Sequence, residues 1–88
     1  MKMVNGFEIV NIADDYMLVP VGDQMEQFNG TVVLNDVSAF LLEKMKVDVT
    51  EEDLVDFVVE EFDVDRERAR TDVKNVLKEM IEIGIVYE

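Results

Sequence analysis

The chain of 88 residues has no cysteine, no histidine and no tryptophan, and only one proline and four glycines. Without cysteine there is no disulfide, no thiolate metal site and no thiol nucleophile. Without histidine, the side chain most used for acid–base chemistry near neutral pH and for metal ligation is missing. Positive charge is also scarce: eight Lys and Arg stand against 21 Asp and Glu, for a net charge of −13. That balance argues against general nucleic-acid binding and against anionic membranes, because both need a basic surface. No apolar run approaches the roughly 20 residues of a membrane span. Glu8, Asp14 and Asp15 interrupt the N-terminal apolar stretch, so residues 1–20 do not read as a signal peptide. A cytoplasmic location, with no membrane partner, is the expectation. The composition is 49% hydrophobic and 33% charged. That is globular, and the length predicts one domain over residues 1–88.

The first third reads as β-structure. Residues 7–12 have largely alternating polarity, Ala13-Asp14-Asp15 is turn chemistry, and residues 16–21 form a second short strand. Together they predict a hairpin. Pro20 donates no hydrogen bond, which places it at an edge, a strand end or a bulge. Residues 22–27 read as a polar loop, and Phe28-Asn29-Gly30 as a turn. Thr31-Val32-Val33-Leu34 is the third strand, short and β-branched. The remainder predicts three helices. Asn35 caps the first, with Val37, Phe40, Leu41 and Met45 at helical spacing. Thr50-Glu51-Glu52-Asp53 resembles a capping box and opens the second, with Leu54, Phe57, Val58 and Phe62 as its apolar stripe. Asp63 or Asp65 starts the third. Its apolar face runs through Ala69, Val73, Val76, Leu77, Met80 and Ile83 to Gly84 at C′. Ile85-Val86-Tyr87 is an apolar tail that packs back.

Catalytic chemistry is poorly represented. Glu60-Glu61 and Glu51-Glu52-Asp53 could be paired as acid and base or as a cation site. Solvated helix faces explain them more simply, and the first-turn group also complements the helix dipole. Asp63-Val64-Asp65 begins like a calcium loop, but Arg66 and Arg68 follow and no glycine stands at the sixth position. Neither GxxxxGK[ST] nor GxGxxG occurs. The chain reads as non-catalytic, with no cofactor and no metal.

The informative feature is the placement of the few cations. Five of the eight basic residues lie between 66 and 78: Arg66, Arg68, Arg70, Lys74 and Lys78, opposed there only by Glu67 and Asp72. Arg66, Arg70, Lys74 and Lys78 recur every fourth residue and form a slowly winding stripe beside the apolar face. Such a face suits an amphipathic, acidic ligand. The competing reading is internal salt bridging to a very acidic body, with arginine stems covering core edges. A second feature is the strand Thr31–Leu34. Beside a helix it is a candidate sheet edge, and an edge is either blunted or used to add a peptide strand. The last two helices also fit a helix-turn-helix. After three strands this suggests a winged helix, and used on DNA the last helix would enter the major groove. The net charge opposes that alternative. An acidic domain should form no specific DNA complex at physiological salt.

The segment Val33-Leu34-Asn35-Asp36-Val37-Ser38-Ala39-Phe40-Leu41-Leu42-Glu43 resembles the "LN-x-x-[GS]-A-x-x-[WL]-E" stretch of the coenzyme PQQ synthesis protein D (PqqD-like) family. The likeness continues through Thr50–Val55, Glu60–Asp65 and Asp72–Leu77 to Ile83-Gly84-Ile85-Val86. It covers about residues 7–87. Leu42 stands where many members carry Trp, and Ser38 where Gly is common. The resemblance implies an α+β, winged-helix-like fold: a three-stranded antiparallel sheet followed by three helices. It also implies a recognition element for ribosomally made, post-translationally modified peptides. Such an element binds the precursor's leader peptide and delivers it to a modifying enzyme, often a radical S-adenosylmethionine (SAM) enzyme. The leader would add as a strand to Thr31, Val32, Val33 and Leu34. It would lie against the third helix, with apolar residues in a groove lined by Val73 and Leu77, and with Arg66, Arg70 and Lys74 pairing its carboxylates. An open edge further predicts a monomer that forms a dimer or a domain-swapped form at high concentration.

Overall fold

A computed structural model describes residues 1–27 and 31–88. The expected Phe28-Asn29-Gly30 turn lies outside the described residues. Strands β1 (Lys2–Met3), β2 (Phe7–Ile12) and β3 (Asp15–Pro20) are followed by a short helix α1 (Gln24–Gln27) and strand β4 (Val32–Leu34). Helices α2 (Asp36–Lys44), α3 (Glu51–Phe62) and α4 (Arg66–Glu82) come next, and β5 (Val86–Tyr87) ends the chain. The main sheet is antiparallel in the order β2-β3-β4. It precedes the three long helices, which is the α+β, winged-helix-like arrangement expected. α1 occupies part of the stretch read as a polar loop.

The β2–β3 hairpin closes on the pair Ile12↔Asp15, leaving Ala13 and Asp14 as the turn. Both have positive φ, 52° and 69°. That is the backbone of a two-residue turn whose twist matches the strands it joins. Pro20 sits at the end of β3 opposite Phe7, where a missing donor is tolerated. Strand pairing fixes which side chains share a face. Tyr16 lies opposite Leu34, and Leu18 opposite both Ile9 and Val32. This face packs on the helices and buries Phe7, Leu18 and Leu34. Val10, Met17 and Val33 align on the opposite face.

Each helix begins at the cap its sequence supplies. Asn35 Oδ1 accepts from Ser38 N at 2.8 Å. Thr50 and Asp53 exchange reciprocal side-chain to backbone hydrogen bonds of 3.0 Å. Asp65, not Asp63, caps α4 by accepting from Arg68 N at 2.8 Å. Asp63 instead terminates α3 in the left-handed region. Each such cap is worth about 1 kcal/mol. The core of α2 differs from its predicted stripe. Ser38, Ala39, Leu41, Leu42 and Met45 are buried, whereas Val37 and Phe40 stay half-exposed. The reason is that α2 touches β3 and β4 as well as α3 and α4, so burial spreads over more than one helical stripe.

Gly84, at φ 84°, lets the chain reverse after α4. Ile85 and Val86 then return to the core, and β5 pairs with β1. The sequence predicts the returning tail but not its strand partner. Met3 N donates to Met45 O and Val4 N to Ile85 O, both at 2.8 Å. These bonds tie the first residues to both α2 and the tail.

A sheet edge and a groove beside α4

β4 is the last strand of the main sheet. Among the described residues no strand lies on its other side. Its regular pairing to β3 spans Val32 to Leu34, and Thr31 precedes it as an exposed, non-strand residue. Val33 is 69% exposed and Leu34 only 5%. The strand anchors one side chain in the core, and among the described residues no strand pairs with its outer backbone side. This is the geometry that accepts an added strand.

Immediately after β4 a groove of about 290 Å³ opens between the start of α2 and one flank of α4. Asn35, Val37 and Ser38 form one wall, and Arg68, Asp72, Asn75, Val76 and Glu79 the other. The spacing 68, 72, 75, 79 is a single helical face. Its polarity is mixed. Arg68 is the only cation, and its Nε lies 3.8 Å from Asp72 Oδ2.

The expected ligand-binding stripe of α4 lies elsewhere. Val73 and Leu77 are 0% and 3% exposed and pack inward as core. They do not line an open groove, which corrects that expectation. The cations project still further round. At roughly 100° per residue, Arg70 is turned about 160° from Asp72. Arg66 pairs with Glu52 at 2.8 Å and Asp56 at 2.7 Å, and Arg70 also pairs with Glu52. All these acids belong to α3, so the two arginines bind α4 to α3. Lys74 is exposed and makes no ion pair among the described residues. The sequence reading took Asn35, Val37 and Val76 only as a cap and as core positions, and it did not single out Asn75 or Glu79. A helical wheel contains the signal, because Arg68, Asp72, Asn75 and Glu79 share the polar flank opposite Arg70.

Hydrogen bonds from Arg70 first, and from Arg66 next, hold the Glu52 carboxyl below its ordinary value. A depressed carboxylate contributes stability above its unfolded pKa, about 4.3, and loses it as the pH falls through the folded value. Glu52→Gln should therefore lower the melting temperature at pH 7. The difference from wild type should shrink below about pH 4, as Glu52 itself protonates. Thermal melts from pH 3 to pH 7 measure this. A constant difference across that range would assign the effect to packing.

Residues 16–86 match the family described as coenzyme PQQ synthesis protein D (PqqD). The chain belongs to the PqqD family. The match begins in β3 and includes both β4 and α4, so edge and groove lie within it. No curated protein matches the chain. Among solved structures, "TbiB1 in Complex with the TbiA(beta) Leader Peptide" is similar, with a TM-score of 0.74 at 19% identity. The alignment covers 97% of this chain and 93% of that one. At that identity the likeness shows the fold. The two departures of this PqqD family member from the common pattern are both buried. Leu42 is fully enclosed, and Ser38 is a wall of the groove whose backbone N–H Asn35 caps.

Proposed function

We propose that this PqqD family protein binds the leader peptide of a ribosomally made precursor by strand addition and presents it to a modifying enzyme. The observation that carries this reading is the edge of β4, unpaired among the described residues, running directly into the α2–α4 groove. Backbone hydrogen bonds along Thr31–Leu34 supply affinity that tolerates sequence variation, and the groove supplies selectivity. The neighbour TbiB1, of the same fold, is bound to a leader peptide, which supports the same class of ligand here. We read the chain as a binding partner and not a catalyst: Glu60 and Glu61 are surface side chains, Glu52 is committed to Arg66 and Arg70, and the sequence has no His or Cys. The enzyme it serves is proposed to be of the radical SAM class, as the family resemblance implies. The nucleic-acid alternative fares worse, because Asp72 and Glu79 interrupt the flank of α4 that carries Arg68.

Amide hydrogen exchange tests the reading. Leader segments from short open reading frames neighbouring the gene are synthesised and added to the protein. The expected result is new protection of amides within residues 31–34, with smaller changes along Arg68–Glu79. Protection confined to other elements, with a leader that binds, would overturn strand addition.

A further inference from the structure

A second groove, of about 380 Å³, lies on the other flank of α2. Tyr16, Phe40 and Phe62 give it an aromatic lining, and Asp36, Glu43 and Glu61 surround it with carboxylates. Phe40 and Phe62 meet edge to face, with ring centroids 5.3 Å apart. No Lys or Arg lines it. The three acids are exposed, and Glu43 has a partner in Lys46 at 2.9 Å, itself at the surface. They do not gather closely: among the described residues no group of three could hold a metal ion. A bare cation is therefore a poor fit. A cationic side chain lying on the rings, with its charge reaching the surrounding carboxylates, fits well.

The protein already makes this contact once with its own residue. A shallower depression of about 230 Å³ adjoins the groove and shares Phe40 and Glu61 with it. There the Lys44 ammonium sits 5.3 Å from the Phe40 ring centroid and 4.9 Å from that of Phe57. Such cation–π contacts strengthen when desolvated. Aromatic groups with one apolar body and nearby charge are also what anchors protein interfaces.

We propose that this groove docks a segment of the modifying enzyme that carries Arg or Lys beside an apolar residue. Assigning the segment to that enzyme rests on the proposed function; the site and its chemistry do not. Charge complementarity selects the occupant. A protein of net charge −13 attracts cationic partners from a distance, and here the attraction ends on an apolar surface that can hold them. Asp36, Phe40 and Glu43 project from one flank of α2, and Val37 and Ser38 from the other. Leader and enzyme segment can therefore occupy the protein together.

The probe is the blocked hexapeptide acetyl-Leu-Arg-Leu-Arg-Leu-Arg-amide, titrated into the full chain and followed by NMR. The largest shifts should fall at Tyr16, across residues 36–44 and at 60–62. Glu43→Gln with Glu61→Gln should weaken the peptide at least fivefold. Glu8→Gln with Glu82→Gln removes the same charge away from the groove and should weaken it less than twofold. Phe40→Leu, which keeps an apolar side chain but no ring, should also weaken it at least threefold while circular dichroism reports an intact fold. Equal loss in both charge pairs would mean diffuse attraction to an acidic surface and would overturn the proposal. Shifts centred on β4 and Arg68–Glu79 would overturn it too, by placing the basic peptide in the leader's groove. Neither outcome bears on strand addition, which is tested with the leader alone.

Discussion

Val33→Pro should cost leader binding roughly 2–4 kcal/mol, about 30- to 700-fold in affinity. The estimate takes a three-residue edge that exchanges two to four hydrogen bonds with the leader, at about 0.5–1.5 kcal/mol each. Proline removes a donor, and its ring bends the strand out of line with an incoming peptide. Val33 is the right position because its side chain faces solvent, opposite Met17, so the core loses nothing directly. Val33→Thr keeps the donor and the β-branch and should bind normally. A second measurement removes any dependence on how well the proline variant folds. Single N-methylations along the leader, tested against the unaltered protein, should weaken binding at every second position. A strand alternates the direction of its N–H groups, and only half of them would face β4. Uniform tolerance of N-methylation would mean that side chains, not backbone, carry the affinity.

Much of the fold was legible because local chemistry and tertiary structure agree. Asn35 and Thr50 begin their helices, and Gly84 follows the end of α4, as their residue types predict. The hairpin reads from alternation and from the Ala13-Asp14 turn. The β1–β5 pair was not legible, since two-residue strands leave no periodicity and Lys2-Met3 pairs with Val86-Tyr87 from the opposite end of the chain. The edge of the candidate site was visible, being a short β-branched strand before a cap. The helix side was not. Arg66, Arg70 and Lys74 stand out as rare cations in an acidic chain, which draws a functional reading. The placement of the two arginines has another cause. α3 begins with Glu51, Glu52 and Asp53 and continues with Asp56, so the helix beside it needs counter-charge. Nothing in a single helix pattern says which of its two polar flanks meets a neighbouring helix and which borders open space. That depends on the placement of α2, which only the assembled fold decides. The same choice bears on the ligand. With Arg66 and Arg70 committed to α3, the flank of α4 proposed to meet the leader is a mixed surface of Arg68, Asp72, Asn75 and Glu79, so selectivity there would rest on hydrogen bonding more than on net charge.

The position of Leu77 separates these two views of α4 most sharply. Leu77→Ala should lower stability by about 2–5 kcal/mol, the range for emptying a buried leucine site that cannot collapse. In a chain of this size that is a fall in melting temperature of roughly 8 °C or more. Leader affinity measured well below the transition should stay within about twofold of wild type, because the side chain is 3% exposed and turned into the core. Asn75→Ala should behave oppositely. Asn75 is exposed on the groove flank, so its loss should leave the melting temperature within a few degrees and weaken the leader. Melting curves and calorimetric titrations on the two variants give four numbers. If Leu77→Ala instead spares stability and abolishes binding, the apolar face of α4 is available to ligand and α4 must move to expose it. If both variants lose stability without losing leader, the helix is only scaffold and recognition is confined to β4. The expected crossing, with stability lost at 77 and affinity lost at 75, would fix the groove between α2 and α4 as the side of the helix that meets the peptide.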